Sequence, residues 1–291
     1  MNPKEFIKRL IPDSLYLKYR FKKMMGYPLN LRNPQTYNEK LQWLKLYNRN
    51  PLYTKLVDKY AVKKWVADKI GEQYVIPTLG VWDRFEDIDF GKLPNQFVLK
   101  CTHDSGGLVI VKDKSKLDFM AARQKITASL NRNFYWQSRE WPYKNVPPRI
   151  IAEKYMEDSA DGELRDYKFY TFRGEPKFLL IASNRQKGDG PYFDYFDMDG
   201  NHLDLHDLKT INNPNEVPQL PQKIDELKEL SRKLTKDIPH VRTDFYVANG
   251  DILFGEYTFF DDGGFMKAAP SSWEREWGEL IELPVKMGAQ R

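Results

Sequence analysis

The sequence of 291 residues contains little cysteine and no long apolar run. Its single cysteine, Cys101, excludes a disulfide within the chain and favours a reducing compartment. No stretch approaches the roughly 18 consecutive apolar residues of a membrane span, and the first residues lack the apolar core of a signal peptide. Internal repeats and low-complexity tracts are also missing. We therefore expect a cytoplasmic globular protein.

Aromatic residues make up 14% of the chain and charged residues 30%. A disordered protein rarely carries so many aromatic groups. The net charge of +5 suits an anionic small molecule such as a nucleotide or a uronic acid, but it equally suits a merely soluble basic surface. No RNA- or DNA-binding motif occurs, so no nucleic-acid partner is expected.

The N-terminal residues 1–23 mix apolar side chains with lysines and arginines. The apolar positions are Phe6, Ile7, Leu10, Ile11, Leu15 and Tyr16. This pattern is typical of a basic helix that lies on a membrane surface, and it would place the protein at the inner face of the membrane. A helix that packs on its own domain is the alternative.

Apolar spacing near 3.6 predicts helices through the first 70 residues, and Gly71 follows the last of them as a helix stop. Short β runs begin near Tyr74. Further helices are predicted at 115–133 and 221–236 and at the Trp-rich C-terminal segment. Because glycine-containing turns join most of the strands, we expect an α+β fold with antiparallel sheets rather than a single Rossmann sheet.

The first candidate site is a lysine that precedes a loop of small residues. Lys100 ends one β run, and Ser105, Gly106 and Gly107 lead into the next. Glycine lets backbone N–H groups approach phosphate oxygens, and the lysine adds positive charge beside them. The GxxxxGK[ST] order of a Walker loop is absent. The pattern indicates either a phosphate-binding hairpin or an ordinary hairpin with a surface lysine.

The second candidate is Glu153-Lys154-Tyr155-Met156, which follows apolar residues. At the edge of a sheet, this segment would hydrogen-bond an adenine through its backbone while Met156 covers the ring. A strand end with a solvated Glu-Lys pair gives the same pattern. The segment therefore gains meaning only in combination with other motifs.

The third candidate is a pair of carboxylates, Asp244 and Glu256, on a hairpin that turns at Asn249-Gly250. A strict two-residue turn pairs residue 244 with residue 255, which puts the two acids on opposite faces. One bulge pairs 244 with 256 instead. Both acids would then reach one Mg²⁺ ion, which prefers oxygen ligands. We predict the bulged register; two exposed acids on an edge hairpin are the alternative.

The order of these motifs resembles the ATP-grasp superfamily, and more narrowly the TupA-like ATP-grasp family of teichuronopeptide and capsule biosynthesis. Seven segments between residues 30 and 285 carry the resemblance: YNEKLQWLKLY, LVDKYAVKKWV, FVLKCTHDSGG, AEKYM, RDYKFYTFRGEPKF, RTDFY and GEYTF. It implies an ATP-grasp fold, in which two α+β lobes with antiparallel sheets hold ATP between them. The implied domains are a helical region at 1–75, a small lobe with a lid loop at 76–150, and a large lobe with the hinge and metal site at 151–291.

The resemblance also implies roles for individual residues. The residues assigned to ATP are Lys59 and Lys100 at the phosphates, Ser105, Gly106 and Gly107 in the lid loop, Glu153, Lys154, Tyr155 and Met156 in the adenine hinge, and Asp166 and Lys168 near the ribose or phosphates. Asp244 and Glu256 would bind magnesium. The superfamily usually has Glu-x-Asn at this last motif, whereas this chain has Glu256-Tyr257-Thr258, so Thr258 would offer a neutral oxygen.

The implied activity is that of an ADP-forming carboxylate–amine ligase that depends on ATP and Mg²⁺. Transfer of the γ-phosphoryl group makes the acid an acyl phosphate, which an amine then attacks. Catalysis of this kind consists mainly of positioning and charge neutralisation. Arg185 and Arg242 are the candidate catalytic residues, because a planar guanidinium fork grips a carboxylate or a phosphate. A structural ion pair is the alternative for each.

The resemblance implies a bacterial enzyme that joins an amino acid to a uronic acid or related sugar of a cell-surface polysaccharide precursor. The sequence leaves the identity of the acid, the amine and the oligomeric state open. A sugar phosphotransferase and a glycosyltransferase are alternatives, since Asp197-Met198-Asp199 superficially matches an Asp-x-Asp metal motif. A non-catalytic interaction module is disfavoured, because the lysines and carboxylates are all present.

Overall fold

The computed structural model describes residues 9–158, 164–185 and 190–286. The α-helices in these ranges are α1 (Asp13–Met25), α2 (Tyr37–Tyr47), α3 (Leu52–Val57), α4 (Ala61–Ile70), α5 (Phe119–Leu130), α6 (Tyr135–Ser138), α7 (Ile224–Thr235) and α8 (Trp273–Leu280). The strands are β1 (Thr78–Trp82), β2 (Phe97–Cys101), β3 (Leu108–Val111), β4 (Ile150–Lys154), β5 (Asp166–Phe172), β6 (Glu175–Ser183), β7 (Tyr192–Asp197), β8 (His206–Asp207), β9 (His240–Ala248), β10 (Asp251–Thr258) and β11 (Ala268–Ala269). The strand pairs of the two larger sheets are antiparallel, which confirms the predicted α+β class.

Helices α1 to α4 form the N-terminal part of the described chain. Helix α2 begins with a capping box, in which Thr36 and Glu39 each accept a hydrogen bond from the backbone N–H of the other. Helix α4 ends at Gly71, whose φ of 117° favours glycine, as predicted. Tyr37 of α2 packs against Trp277 of α8 with ring centroids 5.5 Å apart. The last helix therefore closes onto the N-terminal region.

The smaller of the two main sheets has the strand order β1-β4-β2-β3. Its buried residues Phe97, Leu99 and Ile150 belong to one cluster with Ile126 of α5. Strand β4 lies inside the sheet, because it pairs with both β1 and β2. The edge position expected for this segment is therefore wrong, and only the residues after Lys154 leave the sheet. The sheet also extends beyond the lobe boundary expected at residue 150.

The larger sheet has the order β10-β9-β5-β6-β7. Its hairpins turn at Arg173-Gly174 and at the predicted Asn249-Gly250, and all four residues have positive φ angles. Such angles are typical of tight turns that suit the twist of antiparallel strands.

The two faces of the larger sheet have different partners. Helix α7 covers one face, where Ser231 and Thr243 share a hydrogen bond of 2.7 Å between buried hydroxyls. On the other face, Trp277 stacks on Phe178 with ring centroids 4.4 Å apart. This packing covers only part of the second face, and the remainder borders the smaller sheet. Across the described ranges, no helix combines the length and the apolar character needed to cross a membrane.

Candidate functional site

A cavity of about 230 Å³ lies between the two sheets. Its lining is mainly apolar: Ile76, Val98, Leu108, Ile110, Tyr155, Met156, Leu164 and Tyr246. Its charged lining residues are Lys100, Glu153, Lys154 and Arg185. An apolar cleft with a few convergent charged groups is the usual form of a small-molecule site. Six of the residues predicted from the sequence therefore line this one cavity: Lys100, Glu153, Lys154, Tyr155, Met156 and Arg185.

Two larger depressions lie on the outer surface, with volumes of about 670 and 650 Å³. One borders α5 and the other borders α8. Neither is lined by a residue that the sequence predicted for the site. The cavity between the sheets is the candidate site because the predicted chemistry converges there.

Lys100 shares a buried acid with Lys63. The Nζ atom of each lysine lies 2.6 Å from a carboxylate oxygen of Glu153, whose side chain is 6% exposed. Burial opposes ionisation of this carboxyl, but the two ammonium groups outweigh burial and hold the pKa of Glu153 at about 2. The Glu153 side chain therefore positions Lys100. Its carboxylate is engaged by the two lysines, whereas Tyr155 and Met156 of the same segment line the cavity.

The predicted hinge continues beyond β4 as irregular chain. The Lys154 N–H donates to the carbonyl of Pro77 at 3.0 Å. Within the described ranges, no hydrogen bond occupies the Met156 N–H, and its side chain packs on a small cluster that contains Ile76 and Leu253. A backbone donor beside an apolar wall is what the edge of a purine base requires.

The loop between β2 and β3 carries Ser105, Gly106 and Gly107. Gly106 has a φ of 96°, and a Cβ added there meets nothing within 4 Å, so this position needs glycine for its conformation rather than for space. The preceding Asp104 is buried and holds the base of the loop. Its carboxylate accepts hydrogen bonds from the Ser105 N–H and from Arg132. A fixed base with a glycine tip suits a lid over phosphates.

Lys59 connects this loop with the larger sheet. Its Nζ donates to the carbonyl of Asp104 at 2.8 Å and lies 3.5 Å from Oε2 of Glu256. Its backbone N–H donates to the carbonyl of Thr102 at 3.0 Å. One side chain thus contacts both the base of the lid loop and a predicted metal ligand.

Five predicted residues of the larger sheet lie in two adjacent rows across its strands, and Asp166 lies in the row before them, opposite Tyr246. Lys168, Asp244 and Glu256 form one row, and Arg242 and Thr258 are neighbours in the next. In an antiparallel sheet, residues directly opposite each other point to the same face. The register therefore brings the side chains expected to bind phosphate and magnesium onto one face.

A bulge in β10 makes this row possible. Phe254 pairs with Phe245, but Glu256 pairs with Asp244, so Gly255 is the additional residue. This is the bulged register predicted from the sequence. Without the bulge, Glu256 would lie on the opposite face from Asp244.

Alternating charges cross the two rows. The sequence of ion pairs is Arg185, Asp166, Lys168, Asp244, Arg242 and Asp261. Lys168 Nζ lies 2.9 Å from Asp166 and 2.5 Å from Asp244, and Arg242 donates to both Asp244 oxygens at 2.8 and 2.9 Å. Burial opposes ionisation of Asp244, but Arg242 and Lys168 hold its pKa at about 2. The network keeps a buried carboxylate charged.

Asp244 and Glu256 differ in how much of each carboxylate is open to a metal ion. Glu256 is 41% exposed, whereas Asp244 is 1% exposed and accepts three hydrogen bonds from its two cationic neighbours. A carboxylate has about four acceptor positions, so Asp244 retains one. Residues 9–158, 164–185 and 190–286 contain no group of three or more His, Cys, Asp or Glu side chains that could hold a metal. The open acceptor position of Asp244 and the exposed carboxylate of Glu256 fit Mg²⁺ bound by two carboxylates and substrate phosphates, which is its usual mode.

Thr258 and the two candidate arginines have partners within the network. Arg242 donates to Thr258 Oγ1 at 3.2 Å, so the hydroxyl already contacts a cation. Arg185 pairs with Asp166 and has a side chain that is 45% exposed. Of the two arginines, Arg185 is the one that faces the cavity.

Sequence reasoning missed Lys63, Asp104 and Asp261. Lys63 follows Lys59 by four residues, a helical spacing that could have suggested a second lysine on the same side. Asp104 lies next to the predicted loop. Asp261 gave no signal, because only the turn after β10 brings it to Arg242 and to the Tyr170 hydroxyl, which donates to it at 2.5 Å.

The Asp-x-Asp sequence lies elsewhere. Asp197 accepts hydrogen bonds from the backbone N–H groups of Asp199 and Asn201 at 3.0 and 2.8 Å. These bonds stabilise the turn after β7. Neither aspartate lines the cavity between the sheets, which removes the observation that favoured a glycosyltransferase.

Comparisons with known proteins give one family and several distant structures. The family model for TupA-like ATPgrasp matches residues 39–282. Similar solved structures include D-alanine–D-alanine ligase from Bacillus anthracis complexed with ATP, with 18% identity, a TM-score of 0.41, and coverage of 70% of this chain and 54% of that chain. D-alanine–D-alanine ligase from Helicobacter pylori has 14% identity and a TM-score of 0.45, with coverage of 84% of this chain and 62% of that chain. The ADP complex of PurK, N5-carboxyaminoimidazole ribonucleotide synthetase, has 13% identity and a TM-score of 0.45, with coverage of 76% of this chain and 50% of that chain.

This chain thus spans between 50% and 62% of the length of these three structures. None of the curated proteins matches it. The family match covers most of the sequence and confirms both the resemblance and the ATP-grasp fold. The chain belongs to the TupA-like ATPgrasp family.

Proposed function

We propose that the protein is an ATP- and Mg²⁺-dependent ligase that joins an acid to an amine and releases ADP and phosphate. The observation that carries this proposal is the convergence of two sets of residues at one cavity. The smaller sheet contributes Lys100 and the segment after β4. The larger sheet contributes Tyr246 and Arg185, and Arg185 begins the chain of ion pairs that leads through Asp166 and Lys168 to Asp244. Membership of an ATP-grasp family supports ATP as the nucleotide.

In this proposal, the apolar part of the cavity holds the adenine. Met156 and Tyr246 lie on its walls, and the Met156 N–H is available to an acceptor nitrogen of the base. Lys100 and Lys154 line the same cavity and would bind phosphate oxygens. The lid loop at 105–107 would supply backbone N–H groups and exclude water.

Asp244 and Glu256 would hold the magnesium ion. When bound, Mg²⁺ would offset the charge that develops on the phosphate oxygens during transfer. Arg242 would orient Asp244 through its paired hydrogen bonds and neutralise negative charge beside it. Arg185 would turn from Asp166 towards the incoming acid, because its side chain is partly exposed at the cavity. The amine would then attack the acyl phosphate.

We further propose that the acid is a uronic acid or a related sugar of a cell-surface polysaccharide precursor, and that the amine is an amino acid. The family resemblance and the positive charge along the cavity support an anionic acceptor. We place the reaction in the cytoplasm of a bacterium, where ATP is available, and at the inner face of the membrane if the acceptor is attached to a lipid.

Nucleotide turnover by the purified chain tests this proposal. The protein would be incubated with ATP, Mg²⁺ and a panel of uronic acids and amino acids, and ADP, phosphate and any amide product would be measured. ADP release should require both an acid and an amine. It should be lost in Lys100→Met and Glu256→Gln and retained in Lys92→Met, since Lys92 is 86% exposed and outside the site.

The other products distinguish the alternatives. A phosphorylated sugar formed without an amine would replace the ligase with a sugar phosphotransferase. Binding of a nucleotide sugar with no binding of ATP would overturn the whole proposal and favour a glycosyltransferase.

A further inference from the structure

The outward face of helix α1 is apolar and positively charged. Leu15 and Tyr19 lie one helical turn apart and are 57% and 69% exposed, and the preceding Leu10 and Ile11 are 68% and 38% exposed. Exposed lysines border these side chains. The seven residues, here called the α1 face, are Leu10, Ile11, Leu15, Lys18, Tyr19, Lys22 and Lys23.

The opposite side of α1 is fixed to the protein. Leu17 and Phe21 are fully buried in one cluster with Phe265. The Asp13 carboxylate pairs with Arg49 at 2.7 Å and accepts a hydrogen bond from the Tyr135 hydroxyl. Helix α1 therefore cannot turn its exposed apolar side chains inward without giving up these contacts.

Asp13 is also the only acidic residue between positions 9 and 25. Because its carboxylate points inward, the α1 face contains three lysines and no acid. A helix with exposed leucine and aromatic side chains bordered by lysines has the composition of helices that bind anionic bilayers. Lysine side chains can extend beside an apolar surface while their ammonium groups stay in water.

We propose that the α1 face docks on an anionic lipid surface. Leu15 and Tyr19 would enter the boundary between headgroups and acyl chains, and the lysines would contact lipid phosphates. Charge disfavours a second copy of the same chain as the occupant, since a symmetric contact would bring six lysines together. The docking needs neither ATP nor an acceptor, so it stands independently of the proposed ligase activity.

Vesicle sedimentation with the full-length chain tests this inference. Binding to neutral phosphatidylcholine vesicles would be compared with binding to vesicles that also contain phosphatidylglycerol, at low and at high salt. We expect binding to the anionic vesicles only, and weaker binding at high salt because salt screens the lysines. Each lysine should contribute about fivefold to binding, so Lys22→Gln/Lys23→Gln should bind about 25-fold more weakly.

Leu15→Ser/Tyr19→Ser should also lose most of its binding. Phe119→Ser/Met120→Ser is the matched control, because these side chains are 47% and 71% exposed on α5. The control should bind as the unchanged protein does, and circular dichroism should show that all variants fold. No binding of the unchanged protein to anionic vesicles, or equal loss in the α5 control, would overturn the inference. So would a concentration-dependent dimer that dissociates in Leu15→Ser/Tyr19→Ser.

Discussion

The two sides of the cavity carry their charges differently. On the side of the smaller sheet, Lys100 of β2 and Lys63 of helix α4 share the single acid Glu153. Lys154 lines the cavity beside them, so positive charge is in excess. On the larger sheet, three cations and three acids alternate from Arg185 to Asp261. The side of the smaller sheet can therefore attract an anion directly, whereas the charges on the larger sheet neutralise one another in the absence of a ligand.

Under the proposed function, this difference assigns the phosphates to the side of the smaller sheet and the metal to the larger sheet. An anion that approaches the smaller sheet meets charge that the protein has not neutralised. A cation at the larger sheet must instead share Asp244 with Arg242 and Lys168. We therefore expect nucleotide binding to depend mainly on the first side and metal-dependent turnover on the second.

The largest expected effect comes from removing the acid of the smaller sheet. Glu153→Ala leaves Lys63 and Lys100 facing each other without a carboxylate. Breaking a buried ion pair by removing one partner costs about 3–5 kcal/mol, and we expect a loss of this size in the free energy of unfolding measured with urea. Glu157→Ala, at an exposed position nearby, is the control. Equal stability of the two variants would show that the lysines do not need Glu153.

The next prediction compares a lysine expected to serve ligand binding, Lys100, with a lysine expected to serve both activity and stability, Lys168. Lys100→Met should reduce kcat/KM about 10²–10³-fold, the usual cost of losing one preorganised electrostatic contact. It should leave the fold intact, because Lys63 still neutralises Glu153. Lys168→Met should reduce both turnover and stability, since it removes a cation shared by Asp166 and Asp244. Nucleotide affinity measured by calorimetry and stability measured by urea unfolding would distinguish the two variants. Equal losses of affinity and stability in both variants would contradict the expected difference between the two sides of the cavity.

Acid should weaken both sides through their depressed carboxyl pKa values. The pKa of Glu153 falls from 4.5 to about 2 on folding, so its ionised form favours the folded state above pH ~4.5 and this contribution is lost as pH falls towards about 2. The expected loss is about 3 kcal/mol. Unfolding measured across this range should be steeper for the unchanged protein than for Glu153→Gln. Parallel curves would show that Glu153 is not the titrating group.

The smallest expected effect concerns the bulge. A Cβ on Gly255 would lie 3.0 Å from the Asp244 carbonyl oxygen, so Gly255→Ala should displace the row by a few tenths of an ångström. We expect about a tenfold loss of turnover from this misplacement, and a loss of stability of about 1 kcal/mol or less. Gly91→Ala, in a surface turn, is the control. If Gly255→Ala lost more affinity for ATP than for Mg²⁺, the bulge would act on nucleotide binding and not on the metal site, which would contradict this prediction.

The sequence predicted features whose causes are local. Gly71 ends a helix because its backbone adopts a positive φ, and Asn249-Gly250 turns a hairpin for the same reason. Counting residues around that turn left two registers for Asp244 and Glu256, and we predicted the bulged one because only it brings both carboxylates to one face. Five of the residues that line the cavity, Lys100 and residues 153–156, were assigned to ATP by a family pattern that spans most of the chain.

Features that depend on distant partners were not predictable. Glu153 was assigned to the adenine hinge, and nothing near it indicates that its side chain would meet Lys63, which lies far away in the sequence. The interior position of β4 depends on β1 and β2 arriving on its two sides. Asp261 reaches Arg242 only because of the turn that follows β10.

The bulge at Gly255 makes the length of the β9–β10 hairpin part of the proposed metal site. Because side chains alternate along a strand, inserting or deleting one residue between Asp244 and Glu256 would separate the two carboxylates, whereas a change of two residues would not. A relative whose turn is one residue shorter could keep both acids together by losing the bulge as well. Among relatives of this chain, turn length and bulge should therefore vary together.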